Sequence, residues 1–161
     1  MRAHQANLFD YFETRKTRER YGRTQHGGLK TKGHRKLERP LSTTRPIHLV
    51  LKSHRAKGRL SFLTHKNKPR VESIVREKAR KFGVRISQYA NVGNHLHLKI
   101  HISSRPLFRS FLRSITNLIA RTLTGARRGK KFGRFWQGQA FTRVLMSRFE
   151  ELNLHGYIRA N

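Results

Sequence analysis

The chain has 161 residues with 37 Lys+Arg against 8 Asp+Glu, a formal net charge of +29, and no cysteine. That length allows one domain with a tail, and a hydrophobic fraction of 35% supports one modest core. The missing cysteine excludes disulfides, thiolate metal sites and cysteine nucleophiles, while the cationic excess calls for a polyanionic partner.

Nucleic acid is the first candidate, because neutralised phosphates release counterions and drive binding without sequence readout. An acidic membrane surface is the second, but no apolar run approaches the ~18 residues that a span requires. Near the N-terminus, Ala6-Asn7-Leu8-Phe9 is too short for a secretory core. Charge alone suits a ribosomal-type RNA binder as well as a DNA enzyme, so motifs must discriminate.

Residues 1–44 are polar and basic. Asp10 to Arg23 has sparse apolar positions, and Gly27, Gly28 and Gly33 break the chain. This stretch reads as a basic arm, ordered on DNA if at all, or as a solvated tail. From Arg45 the pattern changes, so residues 45–161 form the domain. Ile47, Leu49 and Leu51 alternate with His48, Val50 and Lys52, as in a half-buried strand. Asn67 and Pro69 open a helix with Val71, Ile74, Val75, Ala79 and Phe82 on its apolar side, stopped by Gly83. Val84 to Tyr89 reads as a strand, residues 91–94 as a turn, and His95 to Ile102 as the clearest strand of the chain.

Ser103 or Ser104 then caps a long helix carrying Phe108, Phe111, Leu112, Ile115, Leu118, Ile119 and Leu123, ended by Gly125. A basic, glycine-containing loop covers 127–134, and a further strand is expected within Phe135 to Leu145. Ser147 and Glu150 form a capping box that starts a last helix. The order strand, helix, strand, strand, helix, strand, helix predicts an α+β fold. It matches the ferredoxin-like split βαβ plan: an antiparallel sheet with helices on one face, plus a C-terminal helix carrying a tyrosine.

Side chains alternate faces along a strand, so Leu96, Leu98, Ile100 and Ile102 share one face. His95, His97, Lys99 and His101 share the other. Imidazoles at i and i+2 lie roughly 7 Å apart at Cα and can converge on one metal ion. A solvated polar face is the commoner reason for such spacing, since two histidines do not complete a metal site. In the last helix, Tyr157 and Asn161 stand at i and i+4 and project from one side, with Glu150 and Leu154 on the same stripe.

His95-Leu96-His97 resembles the His-hydrophobe-His motif of HUH nucleases. Arg45-Pro46-Ile47-His48-Leu49-Val50-Leu51 resembles the first strand of the bacterial repeat-associated tyrosine transposases, which are single-tyrosine HUH enzymes. Phe135-Trp136-Gln137 with Phe141-Thr142-Arg143-Val144 resembles the segment before their catalytic helix. The similarity covers about Leu41 to Asn161. It implies a metal-dependent single-strand DNA endonuclease and strand transferase acting through a covalent phosphotyrosine, with Tyr157 as nucleophile. It also implies a divalent cation, Mg2+ or Mn2+, held by His95, His97 and Asn161. Ligand chemistry alone leans toward manganese, since imidazole favours transition metals and magnesium favours oxygen.

The implied partner is single-stranded or hairpin DNA, with no membrane, in a cytoplasmic, nucleoid-associated bacterial setting. Relatives include forms that exchange the tyrosine helix between subunits, so a monomer and a homodimer both stay open. Tyr89 competes with Tyr157, because its strand position allows it to face the histidines. Glu150 or Glu151 is an alternative third ligand, and an α-carboxylate on Asn161 is another. Gly156, beside the tyrosine, costs roughly 1 kcal/mol in mid-helix; it marks a hinge, a close approach of DNA, or an early helix end.

Arg127, Arg128, Lys130, Lys131 and Arg134 are the candidate phosphate contacts, with Gly129 and Gly133 opening the backbone, or else a solvated loop. His48 and Lys52 would line the DNA path. Phe135 and Trp136 suit the core better than base stacking. Two rival functions remain: a basic DNA- or RNA-binding protein of this fold without cleavage, and a structural RNA-associated protein.

Overall fold

A computed structural model of the chain describes residues 20, 22–28 and 38–160. Among these residues, strands β1 (Gln25–His26), β2 (Ile47–Lys52), β3 (Val84–Asn91), β4 (His95–Ile102) and β5 (Phe141–Val144) build one sheet in the order β1-β5-β2-β4-β3. Every pairing is antiparallel. Helices α1 (Asn67–Lys81), α2 (Arg105–Thr124) and α3 (Arg148–Arg159) complete the fold. The ferredoxin-like α+β plan is therefore the architecture found, with one short strand added at an edge.

The two faces of the sheet follow from side-chain alternation. Ile47, Leu49 and Leu51 of β2 and Leu96, Leu98, Ile100 and Ile102 of β4 face one way. They form the main core with Val71, Val75 and Ala79 of α1 and Phe108, Phe111, Ile115 and Ile119 of α2. Two of the three helices open on a serine cap, whereas α1 begins without a side-chain cap. Ser104 accepts a hydrogen bond from Leu107 N at the start of α2, and Gly125 closes it in the left-handed region at φ 69°. Ser147 accepts from Glu150 N at the start of α3.

The opposite face is covered by α3. Leu154 and Ile158 pack there on Ala90 of β3 and Leu145, a second and much smaller apolar cluster. Lys99 of β4 pairs with Glu151 at 2.6 Å, and Gln88 of β3 contacts His155 at 2.5 Å, so polar links pin the helix across the strands.

Parts of the basic 1–44 stretch belong to this body. Gln25 and His26 pair with Arg143 and Thr142 and cover the outer edge of β5. Gly27 is needed there: its φ is +85°, and a Cβ would run into the Ala140 carbonyl oxygen. Arg39 donates to Ala140 O at 2.8 Å and to Thr142 Oγ1 at 2.7 Å, and Leu41 enters the main core. Residues 1–19, 21 and 29–37 of the proposed arm lie outside the described residues.

The strand expected within Phe135 to Leu145 is confined to Phe141–Val144. Upstream, Phe135 is buried and Trp136 packs beside it against Phe62, with Trp136 Nε1 donating to Thr116 O at 2.9 Å. These aromatics anchor the loop to the core, and the chain leaves strand geometry to let them do so.

Candidate active site

Strand β4 is flanked by β2 and β3, and it carries His95 and His97 on the face beneath α3. Their rings meet edge to face, with centroids 4.8 Å apart. Tyr157 reaches the same point from α3: its ring lies against that of His97 at 5.2 Å and 74°. The register explains the meeting. Ala90 of β3 is the cross-strand partner of His97 and belongs to the cluster on which Leu154 and Ile158 seat the helix. Residue 157 then falls over the histidines.

The histidines are arranged so that each Nδ1 is engaged. His95 Nδ1–H donates to Asn94 Oδ1 at 2.5 Å, which leaves the lone pair of that ring on Nε2. His97 Nδ1 meets Nε2 of His48 at 3.1 Å. His97 Nε2 is buried without a hydrogen-bond partner. An orphaned buried nitrogen beside a second imidazole is what a cation ligand pair looks like before the ion is added, so the residues present fit a divalent metal. Nitrogen donors of this kind favour a transition ion.

Burial keeps these rings neutral. It pushes His97 down to about 2, helped by the neighbouring His48, His95 and Lys52. It also pushes His48 down to about 3, with the Arg143 charge adding to the effect. His95 is lowered for the same reason, then by Lys52. The Tyr157 phenol is raised by burial and does not ionise unaided.

The third ligand position is not filled by the acidic alternatives. Glu150 is buried against Arg143 at 2.5 Å and accepts from Met146 N at 2.8 Å. Glu151 is held by Lys99. Asn161 lies outside the described residues, and among those described no group of three His, Asp or Glu side chains is arranged to hold a metal.

Two expectations are corrected. Tyr89 does not face the histidines. A bulge between Ile86 and Gln88 inserts one residue and reverses the alternation, so Tyr89 pairs with Leu98 and packs into the main core. Burial and the Glu72 charge raise its phenol further from ionisation. His48, expected along the DNA path, is buried instead: it is only 4% exposed, covered by the neighbouring side chains Phe141 and His97.

Gly156 is not a helix end, since α3 continues through it to Arg159; among the described residues, nothing beyond its chain neighbours and its own helix backbone lies within 4 Å of where its Cβ would be. Lys52 is exposed at the end of β2, opposite His95. Arg127, Arg128, Lys130, Lys131 and Arg134 are all exposed. Arg127 and Lys130 exchange backbone hydrogen bonds of 3.0 and 2.9 Å, so the loop is a tight turn with Gly129 in the left-handed region.

Comparison with known proteins bears on this geometry. The model of the family described as "Transposase IS200 like" matches residues 43–161. The chain belongs to this family of single-tyrosine transposases. Among solved structures, a REP-associated tyrosine transposase bound to a REP hairpin superposes with a TM-score of 0.60 at 14% identity, over 77% of this chain and 70% of that one. A putative transposase from Deinococcus radiodurans R1 gives a TM-score of 0.50 at 15% identity, over 78% of this chain and 97% of that one. No curated protein matches. At these identities the two likenesses concern the fold; the family rests on the sequence match. No helix among the described residues of this transposase is long and apolar enough to cross a membrane.

Proposed function

We propose that this transposase is a metal-dependent endonuclease and strand transferase for single-stranded or hairpin-flanked DNA, acting through Tyr157. The observation that carries the reading is the approach of the Tyr157 ring to the His97 ring, on the face that His95 shares. A divalent ion at His95 and His97, with Asn161 as the candidate third ligand, would offset charge developing on a phosphate oxygen. The Tyr157 oxygen attacks phosphorus, the P–O3′ bond breaks, and a 5′-phosphotyrosine and a 3′ hydroxyl result. The phenol loses its proton to a base in the site, and the departing O3′ takes one up. Attack of a second 3′ hydroxyl on the phosphotyrosine reverses the bond changes, so covalent storage permits rejoining without outside energy.

The exposed cations of the 127–134 turn and Lys52 suit the phosphate backbone. A hairpin substrate is supported by the solved relative that binds one. The test is a denaturing gel of protein with labelled hairpin-flanked single strands and Mn2+. A protease-sensitive adduct is expected, absent in Tyr157→Phe while DNA binding persists. Full binding without an adduct, across several metals and substrates, would leave a nucleic-acid binder in place of an enzyme.

A further inference from the structure

His48 is only 4% exposed and lies against His97, and none of the steps above uses it. We propose that His48 is a positioning residue that holds His97 in the tautomer whose Nε2 carries the lone pair. The inference rests on reading His95 and His97 as a metal-binding pair and goes one layer outward from it.

The geometry leaves two arrangements. Two neutral imidazoles that meet Nε2 to Nδ1 at 3.1 Å share one proton between those atoms. If His48 donated it, His97 would carry its own proton on Nε2. That atom is buried and has no acceptor, so a donor would be stranded and no cation could be bound there. If His97 Nδ1–H donates to His48 Nε2, the second proton sits on His48 Nδ1, and the His97 lone pair points into the site. The second arrangement strands no donor on His97 and repeats what Asn94 does for His95.

The fold holds His48 where this requires. Lys99 is its direct cross-strand partner, which makes His97 the diagonal neighbour and within reach of a ring. The planes of the His48 and His97 rings are within 18° of parallel with centroids 5.4 Å apart, which suits an in-plane hydrogen bond between their nitrogens, and Phe141 meets the His48 ring edge-on at 6.1 Å. Burial and the Phe141 contact favour one orientation of the ring, with Nε2 toward His97.

The test uses the whole chain and two variants. His48→Phe keeps a ring between Phe141 and His97 but removes the nitrogen; His48→Gln restores an acceptor. Mn2+ affinity is measured by calorimetry without DNA, thermal melting checks the fold, and 15N NMR reads the His97 tautomer without metal. In the wild type the His97 proton is expected on Nδ1. His48→Phe should weaken Mn2+ binding by about ten- to a hundred-fold and lose the fixed tautomer, and His48→Gln should recover most of both. A wild-type proton on His97 Nε2 would overturn the proposal without recourse to any variant, and so would unchanged Mn2+ affinity in folded His48→Phe. A wild type that binds no Mn2+ would instead remove the metal-site reading, and this inference with it.

Discussion

Replacing Glu150 by alanine should be among the most damaging single changes outside the main core. Its carboxylate meets Arg143 of β5 at 2.5 Å, with side-chain exposures of 10% and 4%. It also accepts from Met146 N, just ahead of α3. Water cannot replace the missing carboxylate at so sealed a site. The cost of breaking a buried pair by removing one partner is about 3–5 kcal/mol. A domain of this size loses roughly 4 °C of Tm per kcal/mol, so the fall should be roughly 12–20 °C. The Lys99–Glu151 pair supplies an internal control. It is less well covered, at 14% and 34% exposure, so Glu151→Gln should cost no more than about 1 kcal/mol. Calorimetric melting of both variants, with Arg143→Met/Glu150→Leu as a third, decides the matter. The double variant should melt well above Glu150→Ala, because it leaves no buried charge. A fall below about 4 °C in Glu150→Ala, or a double variant no better than the single, would refute the reading of Arg143–Glu150 as a sealed pair joining β5 to the start of α3.

The remaining predictions concern the site and its surroundings. Tyr89→Phe should leave adduct formation on labelled hairpin DNA at wild-type level, since that phenol lies in the opposite layer of the sheet; disappearance of the adduct would reinstate Tyr89 as nucleophile. Alanine at Lys130 and Lys131 should weaken single-strand binding and lower the slope of log affinity against log salt by about 0.7 for each phosphate no longer neutralised; titrations at several salt concentrations give the slope. Gly27→Ala should lower Tm, because the new methyl meets the Ala140 carbonyl in a backbone region that alanine disfavours; an unchanged melting curve would mean that β1 contributes nothing to stability.

Much of this protein is legible in its sequence where local pattern and tertiary environment agree. The strict alternation of β4 places His95 and His97 on one face, and the apolar stripe of α2 defines what covers the other. The Ser147–Glu150 capping signal locates the helix that bears Tyr157. What is not legible depends on pairing between distant segments. The role of His48 follows from the register of β2 on β4, which no local pattern encodes. Alternation misplaces Tyr89 because a single inserted residue leaves no mark on hydrophobicity yet inverts everything after it. A two-residue strand such as β1 is too short for any periodicity. The Glu150 carboxylate looks available as a ligand in the sequence because its partner, Arg143, sits on a different element.

That same inserted residue matters beyond the tyrosine. Strand β3 is the outermost of the described strands on its side, and Ser87, at the irregularity, turns its hydroxyl onto Lys99 O at 3.1 Å. A kinked rim offers a newcomer no straight row of amides to zip onto. Among the described strands, that rim is broken by the irregularity, whereas on the far side the outermost strand is only the two residues Gln25 and His26. Neither rim of the described sheet thus presents a long uninterrupted strand for edge-to-edge pairing.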